Sequence, residues 1–504
     1  MDDATWMVAI GGAFAFLSSV VMGATMPAIC WGPVIGAKVI PYRTAVVIGI
    51  VFQAVGMLAF GSETYTMFSG MLEEWSVLQQ YPARLTLYVL MWIQVTPVIL
   101  HALSIWQRML LPGYIATIAA TLGATLVFPG AGELNVGGTN SHAPYLTGLG
   151  AVIMTCLLAP LVTMCCAVPV YLWSRKTIFR SEDPFHNALW RMPWHACVTA
   201  VVAGLSLIYA IRSPRGTTWF YTSPQGSCII LAAVGSAVCL LYTALVPCMT
   251  LRMRNQLPPS AAIKRMNLLG LDEATVRELA SDDASQDVKG WLQHVHTYLF
   301  QPDIFASVSS NDTLMRIHST AEEYDKATEE LFAPFQKVVA VFLSLAYGTF
   351  NGHTSFGAFA MMRNIAASNT VVSTSSLGMG LRCASAAGLT LGSLLFGARI
   401  VPVTGVQLVK MTPYRSHISI FFTLQSVAIL SITGLKGGIL TYSTVSAVIA
   451  VGLVGGARHV NWRMLALILK WWVLGCAVLI GGTAALVTQG TLCRYMMCMP
   501  GLLH

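Results

Sequence analysis

Apolar stretches of roughly 20 residues recur along most of this chain, each long enough to cross about 30 Å of hydrocarbon at about 1.5 Å per residue. That recurrence, with 55% hydrophobic residues, 10% charged residues and a mean hydropathy of +0.67 over 504 residues, makes lipid the solvent. Lipid cannot satisfy open backbone N–H and C=O groups, and the alternating pattern of a barrel is absent. The expected fold is therefore an all-α polytopic membrane protein. The net charge of +8 does not point to nucleic acid, because Lys and Arg sit in short clusters between apolar runs, where membrane topology accounts for them. Cysteines such as Cys156, Cys165, Cys166, Cys239 and Cys476 are scattered inside apolar segments. They read as small packing residues rather than metal ligands. The acidic start, Met-Asp-Asp, carries no evident cleaved targeting peptide. The organelle stays open, for example between the mitochondrial inner membrane and the plasma membrane.

In chain order, a first span from Trp6 to Ile29 runs into the Gly/Pro-rich GATMPAICWGPVIGAKV and a second span from Arg43 to Gly61. A Gly/Pro break at that depth predicts a discontinuous helix whose opened backbone faces protein or a cavity. A polar connection from Glu63 to Arg84 precedes apolar segments at Leu85–Gln107 and Gly113–Phe128, the second short enough for one arm of a re-entrant hairpin. After a Gly/Asn loop, an apolar segment reaches Trp173, and the polar SRKTIFRSEDPFHNALWRMPW leads to two spans near Cys197–Tyr209 and Cys228–Leu251. The clusters Arg175, Lys176, Arg180, Arg191 and Arg252, Arg254, Lys264, Arg265 then share one face, cytoplasmic or matrix by the positive-inside rule. Between Arg252 and Lys337 lie 13 of the 21 acidic residues, which marks a soluble, partly helical insertion. Further spans follow at Val338–Tyr347, Gly378–Phe396, His417–Gly434, Ile439–Val454 and Met464–Val487. The expected organisation is thus a membrane half at 1–251, a soluble loop at 252–337, a second membrane half at 338–490 and a tail at 491–504.

Two segments, GATMPAICWG at Gly23–Gly32 and GTFNGHTSFG at Gly348–Gly357, each close with a glycine nine residues after the opening glycine. They resemble the signature of the inorganic phosphate transporter (PiT) family, close to GANDVANSFGTAVGS in each half, with Gly23, Ala24, Ala28, Gly32, Gly36 and Arg43 matching in the first copy. The stretch SRKTIFRSEDPFHNALWRMP resembles the family's basic linker, while VKMTPYRSH and GGARHVNWRML resemble its KLTPSRG and GGRAVNWR segments. The resemblance implies two inverted-repeat halves with broken or re-entrant helices, sodium or protons coordinated near the midplane and phosphate bound between the halves.

The family's chemistry is altered at the matched positions. Thr25 and Met26 stand where the first Asn-Asp pair belongs, Phe350 and Asn351 stand at the second, and Ile29 and Thr354 replace the following Asn residues. The Ser-Thr-Thr-His elements correspond to stretches ending at Thr117 and Tyr442, with Thr441 beside the latter and no histidine in either. After Glu330 the chain has no Asp or Glu, and every earlier acid lies in a terminus or connection. Carriers driven by cations keep a membrane carboxylate despite an insertion cost of about 2.5–3.5 kcal/mol, because it does the coupling. Other polar residues have plain readings: Gln94 and His101 as interhelical hydrogen-bond partners, Arg363 and Arg382 at the interface, His353 on the second signature, and His294 with His296 on the loop without companion ligands. No phosphate-cradling loop, nucleophile elbow or carboxylate pair suggests an enzyme or a cofactor. The expectation is a PiT-like membrane protein that has lost cation-coupled symport and serves as an accessory subunit beside other membrane proteins. The alternative is an active carrier of phosphate or a related anion with altered coupling.

Overall fold

The computed structural model describes residues 5–61, 82–134, 136–139, 146–210, 232–238, 240–241, 243, 302–368, 377–432 and 439–495. Helix α1 (Thr5–Gly23) breaks at Ala24–Thr25, continues as a π-helical turn at Pro27–Trp31 and ends in the short α2 (Gly32–Gly36). Then follow α3 (Tyr42–Phe60), α4 (Ala83–Trp106), α5 (Gly113–Thr125), a two-residue hairpin of Gly138–Thr139 on Leu146–Thr147, α6 (Gly148–Ser174) and α7 (Pro184–Ala210). Short helices α8 (Ala306–Ser309), α9 (Asp312–Thr320) and α10 (Lys326–Glu330) lead into α11 (Ala333–Ser368) and α12 (Met379–Pro402). The chain closes with α13 (Pro413–Ile432), α14 (Ile439–Gly455) and α15 (Trp462–Tyr495). Among the described residues seven helical segments are long and apolar enough to cross a membrane, and α5 and α14 are shorter apolar helices.

The expected break in the first signature is present, and its cause is local. Pro27 and Pro33 each remove an N–H from the helical ladder, which opens the turn between them. The second signature differs from expectation: α11 runs through Gly348–Gly357 without interruption, because that stretch contains no proline. The second half breaks later, where Pro402 ends α12 and Val403–Gln407 form another π-helical turn. The basic stretch read as a linker is also mostly helical, with a π-helical turn at Arg175–Phe179 and the first turns of α7 from Pro184. The segment Cys228–Leu251 falls largely outside the described residues, as do 62–81, 252–301 with His294 and His296, and the side chain of His353.

Helices from the early and late parts of the chain interlock, and small residues set the contacts. A Cβ on Gly392 of α12 would stand 1.8 Å from the Val20 carbonyl of α1, and one on Gly348 of α11 would stand 1.9 Å from the Gln53 carbonyl of α3. Backbones approach this closely in lipid because dispersion and packing, not water expulsion, drive helix association. The signature glycines thus serve packing: Gly23 lies against Leu389, and Gly36 against Gly405.

At one end of the bundle, groups distant in sequence form a charged clamp. Glu322 pairs with both Arg175 and Arg180, and Glu323 pairs with Lys410. Buried Arg415 donates to the Tyr171 hydroxyl at 3.1 Å and to the Glu322 carbonyl at 2.9 Å. Burial works against the charged form of Glu322, yet its hydrogen bond to Arg180 and the charges of Arg175 and Arg180 hold its carboxyl below the usual range. One acid read as part of the soluble connection is buried: Glu329, 5% exposed, accepts a 2.7 Å hydrogen bond from Thr412 at the foot of α13.

Candidate functional site

A broken helix exposes carbonyls that intrahelical N–H groups would otherwise take, and in lipid each must find a donor or an ion. At the α1 break the Met22 carbonyl keeps a local partner, the Thr25 N–H at 3.1 Å, and lies 2.9 Å from the Thr25 hydroxyl; further donors are side chains from later in the chain. Tyr347 of α11 donates to the Met22 carbonyl at 2.6 Å, and its hydroxyl shares a 2.8 Å hydrogen bond with that of Thr25. Ser393 of α12 donates to the Gly23 carbonyl at 2.8 Å. Thr404, in the π-helical turn at Val403–Gln407, donates to the Ala28 carbonyl at 2.6 Å. That carbonyl's π-helical partner, five residues ahead, is Pro33, which has no N–H to give. The Thr444 hydroxyl of α14 lies 3.4 Å from the Ile29 carbonyl while donating to Leu440 of its own helix at 2.8 Å.

Large side chains are buried beside the break. The Trp31 indole N–H donates to Ser344 of α11 at 2.8 Å, and Met26, Cys30 and Trp31 are all 0% exposed. Gly49 on α3 makes room for them: a Cβ there would stand 2.8 Å from Trp31 Nε1 and 3.0 Å from Met26 Cε. One group in this region lacks a partner. Gln53 is 0% exposed where α3 crosses α11, and neither its amide oxygen nor its amide nitrogen is hydrogen-bonded.

The residues selected from sequence divide clearly. Thr25 sits at the break, and Met26 follows it, fully buried beside Gly49 of α3. Asn351, one turn beyond Tyr347, donates to the Tyr347 carbonyl at 3.0 Å, and Thr354 donates to the Phe350 carbonyl at 3.1 Å. Both bonds remain inside α11. Thr117 likewise donates to Gly113 of its own helix at 3.2 Å. Thr441 is buried one turn before Thr444, and Tyr442 packs edge-on against Trp472 at 4.5 Å between ring centroids. The residues that reach the break, Ser344, Tyr347, Ser393, Thr404 and Thr444, were not selected. A sequence signal for Thr404 exists: Lys38-Val-Ile-Pro-Tyr-Arg43 after the first break and Lys410-Met-Thr-Pro-Tyr-Arg415 after the second share Lys-x-x-Pro-Tyr-Arg. Among the other polar residues, Gln94 donates across to the Ser355 carbonyl at 2.9 Å as expected. His101 meets the Leu111 carbonyl beyond the end of its own helix at 3.2 Å. Arg382 donates to the Leu58 carbonyl at the end of α3, and Arg363 is exposed. Among the described residues no cluster of three or more His, Cys, Asp or Glu side chains is arranged to hold a metal ion.

These features define a polytopic helical membrane protein in which early and late helices of the chain pack together at proline-containing turns. The phosphate transporter family matches residues 22–481, and the chain belongs to that family. Proteins named "Putative phosphate permease" are similar over nearly their whole length. The Haemophilus influenzae protein is 20% identical over 481 residues, covering 93% of each chain. The Chlamydia pneumoniae protein is 22% identical over 472 residues, covering 91% of this chain and 92% of its own. Among solved structures, one titled "The sodium-dependent phosphate transporter" matches with a TM-score of 0.66 at 16% identity, over 96% of this chain and 99% of the other. That likeness establishes the shared fold.

Proposed function

We propose that this family member has lost cation-coupled phosphate symport and serves as a structural or accessory subunit of a larger membrane assembly. One observation carries the reading: at the α1 break, where a carrier would offer carbonyls and carboxylates to a cation, the hydroxyls of Tyr347, Ser393 and Thr404 bond the Met22, Gly23 and Ala28 carbonyls, Met22 also accepting from the Thr25 N–H. Met26 and Trp31 occupy the space beside them. A hard cation needs several free oxygen ligands, commonly with a carboxylate among them. The substitutions at Thr25, Met26, Phe350 and Asn351 remove both Asn-Asp pairs of the family signature, while the glycines that pack the halves persist. We also read the two halves as inverted repeats, a reading supported by the Lys-x-x-Pro-Tyr-Arg stretch that follows each break.

A second reading, an uncoupled carrier of phosphate or a related anion, draws support from the names of the near-full-length relatives and from the unpartnered Gln53 amide. Two experiments separate them. Mild-detergent extraction from native membranes yields stoichiometric co-purification with other membrane proteins under the first reading and a lone monomer or homodimer under the second. Reconstituted vesicles take up no labelled phosphate above empty vesicles under the first, and do so without a cation gradient under the second.

A further inference from the structure

Between α6, α7 and α13 lies a groove of about 580 Å³ with a consistent direction along the bundle. One end is at the charged clamp: Trp173 is the penultimate residue of α6, Arg191 and Trp194 lie in the first turns of α7, and His417 lies one turn into α13. From His417 the lining extends along α13 through Phe421 to Gln425, eight residues or about 12 Å of helix away from the charged clamp. The groove is therefore basic at the interfacial end and mostly apolar beyond it.

One side chain at the basic end has capacity that the protein does not use, and one buried ring closes the groove beside it. Arg191 donates to the Thr177 hydroxyl and its guanidinium sits 5.0 Å from the Trp173 ring centroid, but it forms no salt bridge with an acid among the described residues. His417 is 2% exposed, lines the groove and has no hydrogen-bond partner at Nδ1. Trp173 and Trp194 are well exposed beside them, the placement of aromatic residues at headgroup level.

We propose that the groove binds one anionic phospholipid, with its phosphate on Arg191 between Trp173 and Trp194 and an acyl chain lying along Phe421 away from the charged clamp. A basic pocket between membrane helices on the positively charged side recognises this chemistry: charge selects the headgroup, and the apolar channel favours a lipid over a free anion. The inference is independent of whether the protein transports phosphate.

The test uses the full-length protein, exchanged into phosphatidylcholine nanodiscs containing phosphatidylglycerol and then analysed by native mass spectrometry after stepwise delipidation. The wild type retains one phosphatidylglycerol in preference to phosphatidylcholine. Arg191→Gln lowers that retention at least about fivefold, the weight of one surface cation on an anionic lipid, and Arg191→Lys restores most of it. Val198→Trp, which fills the groove from α7 while keeping Arg191, also removes the bound lipid. Size-exclusion profiles matching the wild type establish that each variant is folded. Equal retention by the wild type, Arg191→Gln and Val198→Trp overturns the proposal. So does displacement of the lipid by inorganic phosphate, which would make the groove a free-anion site.

Discussion

Replacing Thr404 with valine removes one hydroxyl and leaves the side-chain shape nearly unchanged. In the wild type that hydroxyl meets the Ala28 carbonyl at 2.6 Å, where Pro33 has removed the π-helical donor. Valine puts a methyl group where a polar contact stood, and a buried carbonyl that loses its donor costs about 1–3 kcal/mol. The site also has no slack, since a Cβ on Gly32 would already lie 2.0 Å from Thr404 Oγ1. Thr404→Ser keeps the donor and loses one methyl, worth about 0.8 kcal/mol. The two variants therefore separate hydrogen bonding from packing. Thermal unfolding in detergent, followed by intrinsic fluorescence at a fixed scan rate, reports the difference, and for a chain of this length the Thr404→Val midpoint falls by about 1–5 °C. A valine variant as stable as the wild type, or no less stable than the serine variant, would refute the idea that this hydroxyl closes the break.

Other perturbations address separate parts of the fold. Gly36→Val places a Cβ 2.0 Å from the Gly405 carbonyl, so it prevents the two breaks from meeting; folded yield collapses by size-exclusion chromatography, whereas Gly132→Ala, in open space, leaves it unchanged. Gln53→Met removes two unpartnered buried amide atoms and raises the unfolding midpoint or leaves it unaltered; a marked loss of stability would reveal a partner for that amide. Glu322 titrates below the usual carboxylate range in the folded protein, so its contribution is present above the unfolded value of about 4.3 and is lost as pH falls through the lower folded value. The acid arm of the wild-type stability profile is therefore steeper than that of Glu322→Gln.

The apolar helices were largely legible because hydropathy reports burial in lipid directly, although those expected near Cys197–Tyr209, His417–Gly434 and Ile439–Val454 are not among the seven long enough and apolar enough to span. Ile439–Val454 was expected and Ile439–Gly455 is observed; Leu85–Gln107 was expected and Ala83–Trp106 is observed. The first break was legible from Pro27 and Pro33, since proline acts on the backbone locally. The second was misplaced because the Gly spacing of GTFNGHTSFG resembles a break without containing the residue that makes one. There, Gly348 lets α11 approach α3 and does not open the helix. Pairing Lys38–Arg43 with Lys410–Arg415 would have directed attention to Thr404. The clamp was illegible for another reason: Arg180 and Glu322 are 142 residues apart, and no local pattern joins them. Ser393 was hidden because a Ser or Thr hydroxyl in a membrane helix commonly bonds its own preceding turn, as Thr117, Thr121 and Thr125 do here, and Tyr347 because a tyrosine in an apolar run reads as packing. Only packing between helices distinguishes a hydroxyl that caps a neighbour's broken backbone.

The central claim is that the break at Ala24–Thr25 is closed by protein and has no cation to bind. Its most direct measurement is labelled-phosphate uptake by purified protein in sealed vesicles, with an inward sodium or proton gradient imposed and then collapsed by an ionophore. The account predicts uptake equal to that of protein-free vesicles in every condition. Accumulation that appears with either gradient and vanishes with the ionophore would contradict it.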